Sequence, residues 1–175
     1  KVLEIARTLG VAFYNQHQLA RSRPTRFDQL VSARLLSQRD LESAVDEARE
    51  KRMAVEDVLI ARHKIRTEDI GRSLSSYYGC PFVDAAGIEP VAAALVEGIN
   101  LEYLKAQCWV PLKDQGDCIQ VLVDDPHCSQ KTQDIRRLFQ GRKVQLFVGL
   151  RQDILRILES AGASGGSGGA GTRSE

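Results

Sequence analysis

Arginine is the side chain in this sequence best placed to do chemistry. Arg21, Arg23 and Arg26 gather about Pro24, and Arg34, Arg62 and His63 stand at two turns that come into register when Leu30 is set over Leu59. A guanidinium carries a flat fork of donors that grips an oxyanion in pairs and stacks on planar groups. Paired arginines beside aliphatic side chains therefore suit a flat, doubly charged ligand such as a nucleotide phosphate. Arg34 and Arg62 also lie near helix ends, where a solvated cation compensates the C-terminal dipole, and both readings stay open at this level.

Catalytic chemistry finds no comparable footing. There is no G-x-x-x-x-G-K-[S/T] phosphate loop and no G-x-G-x-x-G following a strand, so nucleotide hydrolysis has no place in this segment. His17, His63 and His127 fall in different units without a partner four residues away. The adjacent pair His127-Cys128 points apart on an extended chain, so no metal site is expected. Asp124-Asp125-Pro126 reads as turn chemistry at a strand end rather than as a general acid–base pair. Trp109 and the tyrosines do not alternate with basic residues, which argues against a single-strand nucleic-acid platform. Cys80, Cys108, Cys118 and Cys128 form no C-x-x-C pair and read as buried, reduced thiols of a cytosolic protein. The expectation is a non-enzyme with no catalytic residue, no metal and no obligatory cofactor.

The elements that position these side chains begin with an internal repeat. Leu30-Val31 and Leu59-Ile60 each end a helix, Leu36 and Ile65 each plug a turn, and Leu41 with Val45 and Ile70 with Leu74 give the next helix an apolar face at spacing four. Ser37 with Asp40, and Thr67, are the expected N-caps. Neither copy buries its stripe alone, so the two should stack in one small helical bundle. Upstream, Val2 to Leu9 reads as a helix. From Gly79 and Pro81 the pattern changes: Pro90 starts a helix through Glu97, Leu101 to Ala106 is another, and Cys108 to Leu112 with Cys118 to Val123 is a hairpin turning at Asp114 to Asp117. Ser129 to Phe139 is a helix, Lys143 to Val148 a strand and Arg151 to Ser160 a last helix. The fold class is α+β: a helical bundle of helix-turn-helix repeats, then a β-β-α-β-α layer with a small, at least partly antiparallel sheet and helices on one face.

The 175 residues divide accordingly into a helical subdomain at 1–80, an α+β subdomain at 81–160 and a flexible Gly/Ser linker at 161–175. Lys1 in place of Met and that tail both fit a segment of a longer chain. Twenty-four basic against 23 acidic side chains leave a net charge of +1, too even for broad attraction to nucleic acid or anionic lipid. No apolar run approaches the roughly eighteen residues of a membrane span.

The second repeat with its exit, Val58-Leu-Ile-Ala-Arg-His-Lys-Ile-Arg-Thr-Glu-Asp-Ile70 through Tyr78-Gly-Cys-Pro-Phe-Val-Asp84, resembles the MshEN-like N-terminal domain of the assembly ATPases of type II secretion and type IV pili. So does the later stretch: Leu101-Glu-Tyr-Leu104, Val110-Pro-Leu112, Val121-Leu-Val-Asp-Asp-Pro126, and Asp134-Ile-Arg-Arg-Leu138 ahead of Val144-Gln-Leu-Phe-Val148. The resemblance covers about residues 26 to 160. It implies a non-catalytic, cytoplasmic adaptor and regulatory module. Such a module docks the motor to the cytoplasmic domain of an inner-membrane platform protein, is peripheral to the membrane only through that partner, and precedes a C-terminal ATPase domain in the same chain. In part of the family the repeats instead bind cyclic di-GMP through RLGxxLVxxGxIxxxxLxxxLxxQ, which is the alternative function; a free-standing scaffold is the second alternative. For cyclic di-GMP the resemblance marks Arg26, Leu30, Val31, Arg34, Leu59, Ile60, Arg62 and His63. The aliphatic positions of that pattern match, whereas Arg34 and His63 stand at its turn glycines, Phe27 and Glu56 at its early glycines, and Ala48 and Tyr77 at its closing glutamines.

Overall fold

The computed structural model describes residues 24–84, 88, 93–96 and 98–164. The helix expected at Val2 to Leu9, the helix start at Pro90, Arg21, Arg23, His17 and the tail from residue 165 lie outside the described residues. Four helices form the first unit: α1 (Asp28–Ser32), α2 (Gln38–Lys51), α3 (Val55–Ala61) and α4 (Thr67–Tyr78). The second unit runs α5 (Ala93–Val96), α6 (Leu101–Gln107), β1 (Trp109–Asp114), β2 (Cys118–Val123), α7 (Ser129–Leu138), β3 (Lys143–Val148) and α8 (Arg151–Ser164). It is a helical bundle followed by a β-β-α-β-α layer.

The repeat folds as two helix-turn-helix units because each aliphatic signal finds the same core. Leu30 and Leu59 are fully buried at the ends of α1 and α3, Leu36 and Ile65 fill the turns, and Leu41, Ala44, Ile70 and Leu74 line the inner faces of α2 and α4. Ser37 caps α2 by accepting the Asp40 N–H at 3.1 Å while its hydroxyl donates to the Asp40 carboxylate at 2.6 Å, a reciprocal cap. Two local expectations need correction. The N-cap of α4 is Arg66, with Thr67 as the first helical residue, because the Arg66 guanidinium reaches forward to Asp69 at 3.0 Å and occupies the carboxylate of that first turn. The left-handed residue of the second turn is Lys64 (φ 56°), not His63, whereas the first turn places Arg34 there (φ 58°). The cause is a wider closing bond: Ile65 N–H reaches Leu59 O, one residue farther than Leu35 N–H to Leu30 O.

The sheet has the order β1-β2-β3, with β1 and β2 antiparallel and β2 and β3 parallel. The hairpin turns through Gly116 (φ 82°), and β1 is an edge strand that carries Pro111 and an irregularity before Lys113, features that suit an unpaired edge. Val121, Leu122 and Val123 are all fully buried. Successive strand residues point to opposite faces, so this end of the sheet is covered on both sides rather than one. Cys108 does not open β1; it closes α6 in the left-handed region (φ 55°). At the C-terminus α8 continues to Ser164, past the expected boundary at 160, because Ile154, Ile157, Leu158 and Ala161 keep a helical stripe buried in the core.

A short segment after α4 ties the units together. Gly79 ends the helix (φ 66°), and Pro81 to Val83 run beside β3. Val148 N–H donates to Pro81 O at 2.9 Å, and Val83 N–H donates to Val148 O at 3.0 Å. The Phe82 ring then lies over Gly71 of α4 so closely that a Cβ there would come 2.3 Å from a ring carbon. Gly71→Ala is expected to destabilise the chain by about 1–3 kcal/mol, the usual cost of overpacking. Urea denaturation checks this, and adding Phe82→Leu should recover part of the loss.

Candidate functional site

The residues marked for ligand binding separate once the chain folds. Leu30 and Leu59 are core residues with no exposed surface, and Ile60 packs half-buried on the same core. Arg62 turns outward and pairs with Glu47, which Lys51 also holds at 2.6 Å; those two cations keep the Glu47 carboxyl below its ordinary value. Val31, Arg34 and His63 come together with Leu35, Leu36, Ser37 and Asp40 in an open groove of about 550 Å³ at the repeat turns. Arg26 goes elsewhere.

Arg26 lines a cleft of about 290 Å³ between the units, with Arg52, Met53, Ala54 and Glu56 from the helical side and Asp124, Gly149 and Arg151 from the sheet side. Each arginine has a local reason to be there. Arg26 lies 3.3 Å from the buried Glu56 carboxylate, and its guanidinium sits 5.0 Å from the centre of the Phe27 ring. Arg52 is the left-handed cap of α2 (φ 54°), fixed by Met53 N–H donating to Ala48 O. Arg151 opens α8 and approaches Asp124 at 3.7 Å. Lys131, 8% exposed, reaches Asp124 from α7, so the Asp124 carboxylate is already taken. The acidic sequence Asp124-Asp125 thus divides between an ion pair and a turn in which the Asp125 carboxylate accepts the His127 N–H at 3.0 Å.

Charge in this cleft is unevenly solvated. Burial pushes the Glu56 carboxyl above its ordinary 4.5, and Arg26 offsets that only in part. Arg26 loses solvation too, but Glu56, the Tyr78 hydroxyl and Asp125 outweigh the loss and hold its charge more firmly. Three arginines and two carboxylates, Glu56 and Asp124, line this cleft together with Met53 and Ala54. Sequence reading had noticed Arg26 alone. Arg52 and Arg151 carried no signal beyond their helix-end positions, since the fold brings them from residues far apart.

A family model described as the MshEN domain matches residues 78–168, just over half of the chain. The chain belongs to the MshEN domain family. It is an N-terminal domain of the kind carried by type II secretion and type IV pilus ATPases, and such MshEN domains are non-catalytic accessory modules. The match spans the α+β unit, and a likeness of fold to solved structures covers a larger share of the chain. A structure of MshE with cdg, that is cyclic di-GMP, superposes with a TM-score of 0.59 at 14% identity over 78% of this chain and 98% of that one. The N-terminal domain of XpsE gives 0.55 at 23% identity over 79% and 97%. At these identities the likeness establishes the shared fold. No curated protein matches the chain. Among the described residues no group of three or more His, Cys, Asp or Glu could hold a metal ion, and no helix is long and apolar enough to cross a membrane.

Of the four cysteines in this MshEN domain Cys108 is buried and the others are half-buried, a correction to the expectation that all are buried. Burial first, and then the Asp124 charge, push the Cys108 thiol up to about 12. At pH 8 iodoacetamide should label Cys118 and Cys128 while sparing Cys108 until denaturant is added, as peptide mass mapping would record.

Proposed function

We propose that this MshEN domain is a regulatory module that binds cyclic di-GMP in the arginine cleft between its two units. The observation that carries the reading is the convergence of Arg26, Arg52 and Arg151 on one cleft that Met53 and Ala54 also line. Those groups supply paired donors for phosphate oxygens and an apolar surface for a flat ring system. The fold shared with a structure of MshE with cdg supports the choice of ligand. Positions 1–80 and 81–164 act in this proposal as two subdomains that the ligand bridges. A tether follows them, leading to an ATPase domain in the same protein.

Isothermal titration of the whole chain with cyclic di-GMP tests the reading. Saturable heat is expected, with Arg26→Ala weakening binding about ten- to a hundred-fold, the range of a lost charge-assisted hydrogen bond. Arg34→Ala, in the separate groove, should change affinity less than two-fold. No saturation at high micromolar ligand would remove the proposal.

The Glu56 carboxylate opposes a bound anion while it is ionised and ceases to do so when protonated. Because its pKa lies above the ordinary value, affinity is expected to rise as pH falls from 8 toward and through that raised value. Glu56→Gln should bind more tightly at pH 8 and remove the Glu56 share of this pH dependence.

The adaptor role belongs with the groove. Leu35 is 45% exposed there beside Arg34, Asp40 and His63, an apolar contact among polar side chains on a surface that the cleft ligand does not use. Docking of the cytoplasmic domain of an inner-membrane platform protein is assigned to this face, which would hold the chain at the membrane through a partner. A pull-down should lose that domain on Leu35→Ser with Arg34→Glu, while cyclic di-GMP binding persists.

A further inference from the structure

Beside the cleft lies an aromatic cluster in which Tyr78 packs half-buried on the helical core while Tyr77 and His127 are exposed. Tyr77 and Tyr78 end α4, and His127 sits on the loop between β2 and α7. The rings of Tyr77 and Tyr78 meet edge to face at 4.9 Å, those of Tyr78 and His127 do the same at 4.9 Å, and Tyr77 and His127 are 5.4 Å apart with a 50° tilt. Tyr77 is 37% exposed and His127 is exposed too, so the cluster is a surface feature.

We propose that Tyr77, Tyr78 and His127 form an aromatic ledge beside the arginine cleft that receives a purine base of the bound nucleotide. The inference rests on the ligand reading above and adds the means by which the base is held. Continuity between ledge and cleft runs through Arg26, which lines the cleft and whose backbone carbonyl accepts the Ser73 hydroxyl of α4 at 2.8 Å, one turn before Tyr77; its charge also offsets part of the rise that burial gives the Tyr78 phenol. Phosphate oxygens on the arginines and a base on the rings are the two halves of one nucleotide. Aromatic rings bind bases through their π-faces, and removal of one such ring lowers affinity by about ten-fold or more.

The ledge also has a mechanical consequence. The tyrosines belong to the helical unit and His127 to the α+β unit, and the His127 loop is set by the Asp125 turn. A base stacked across both spans the junction and holds the two units in one arrangement.

Titration of the whole chain with cyclic di-GMP separates the possibilities. The double variant Tyr77→Ala with His127→Ala should lose ten-fold or more in affinity, and Tyr77→Phe with His127→Phe should restore most of it, since stacking needs rings rather than hydroxyl or imidazole donors. Both positions are exposed, and a thermal melt verifies that each variant is folded. Affinity of the alanine variant within two-fold of the parent would overturn the ledge and leave the cleft reading standing. Failure of the phenylalanine variant to recover binding would overturn base stacking in favour of polar contact. Absence of binding by the unmodified chain would overturn ledge and cleft together.

Discussion

Much of this molecule depends on the last turn of backbone at the end of β3. Val148 is a strand residue of the sheet, yet its side chain and that of Leu150 are buried in the core of the helical unit. Its backbone is held by Pro81 and Val83 from the segment that leaves α4, and the next residue, Gly149, donates to Val123 O of the central strand at 3.0 Å. A Cβ at Gly149 would come 2.8 Å from Leu122, closer than carbon atoms approach without displacement. The same few residues therefore close two hydrophobic cores and bring Gly149 to the cleft between them.

That junction also explains why charge collects there. Where two apolar cores meet, the rim must be polar, and a carboxylate drawn into the rim needs cations at hand. Glu56 and Asp124 enter from opposite units, Arg26 answers the first, and Lys131 with Arg151 answers the second. Arg52, held in a left-handed conformation that costs a non-glycine residue about 1–2 kcal/mol, faces the same space. Cys108 takes the same conformation as a helix cap elsewhere in the chain, so the left-handed Arg52 follows from helix termination, and the end of the helix dipole recovers part of its cost.

Legibility from sequence followed the range of the interaction. The repeat was readable because Leu30 with Leu59, Leu36 with Ile65 and Leu41 with Ile70 satisfy a period that any amphipathic helix pair must obey. The hairpin, the β2–α7–β3 order and the Gly79 cap were readable for the same reason, since turns and periodicity are properties of a few neighbouring residues. One error was local, since Thr67 gave way to Arg66 as cap beside an Arg66–Asp69 pair three residues apart, and one was tertiary, since the end of the sheet at Val121 to Val123 proved covered on both faces. Of the candidate ligand residues, the aliphatic pairs were legible as core and went to the core, while Arg34 and Arg26, similar in sequence setting, ended in separate concavities.

By itself the sequence determined that this chain makes two kinds of structure in order, that its apolar stripes must pair, and that it carries no phosphate loop. Each of these follows from composition and from contacts within a few residues. Only the tertiary structure decided which cations would share a cleft. Arg26, Arg52 and Arg151 come from three elements whose approach is set by two cores closing on Val148, and no spacing along the chain encodes that meeting.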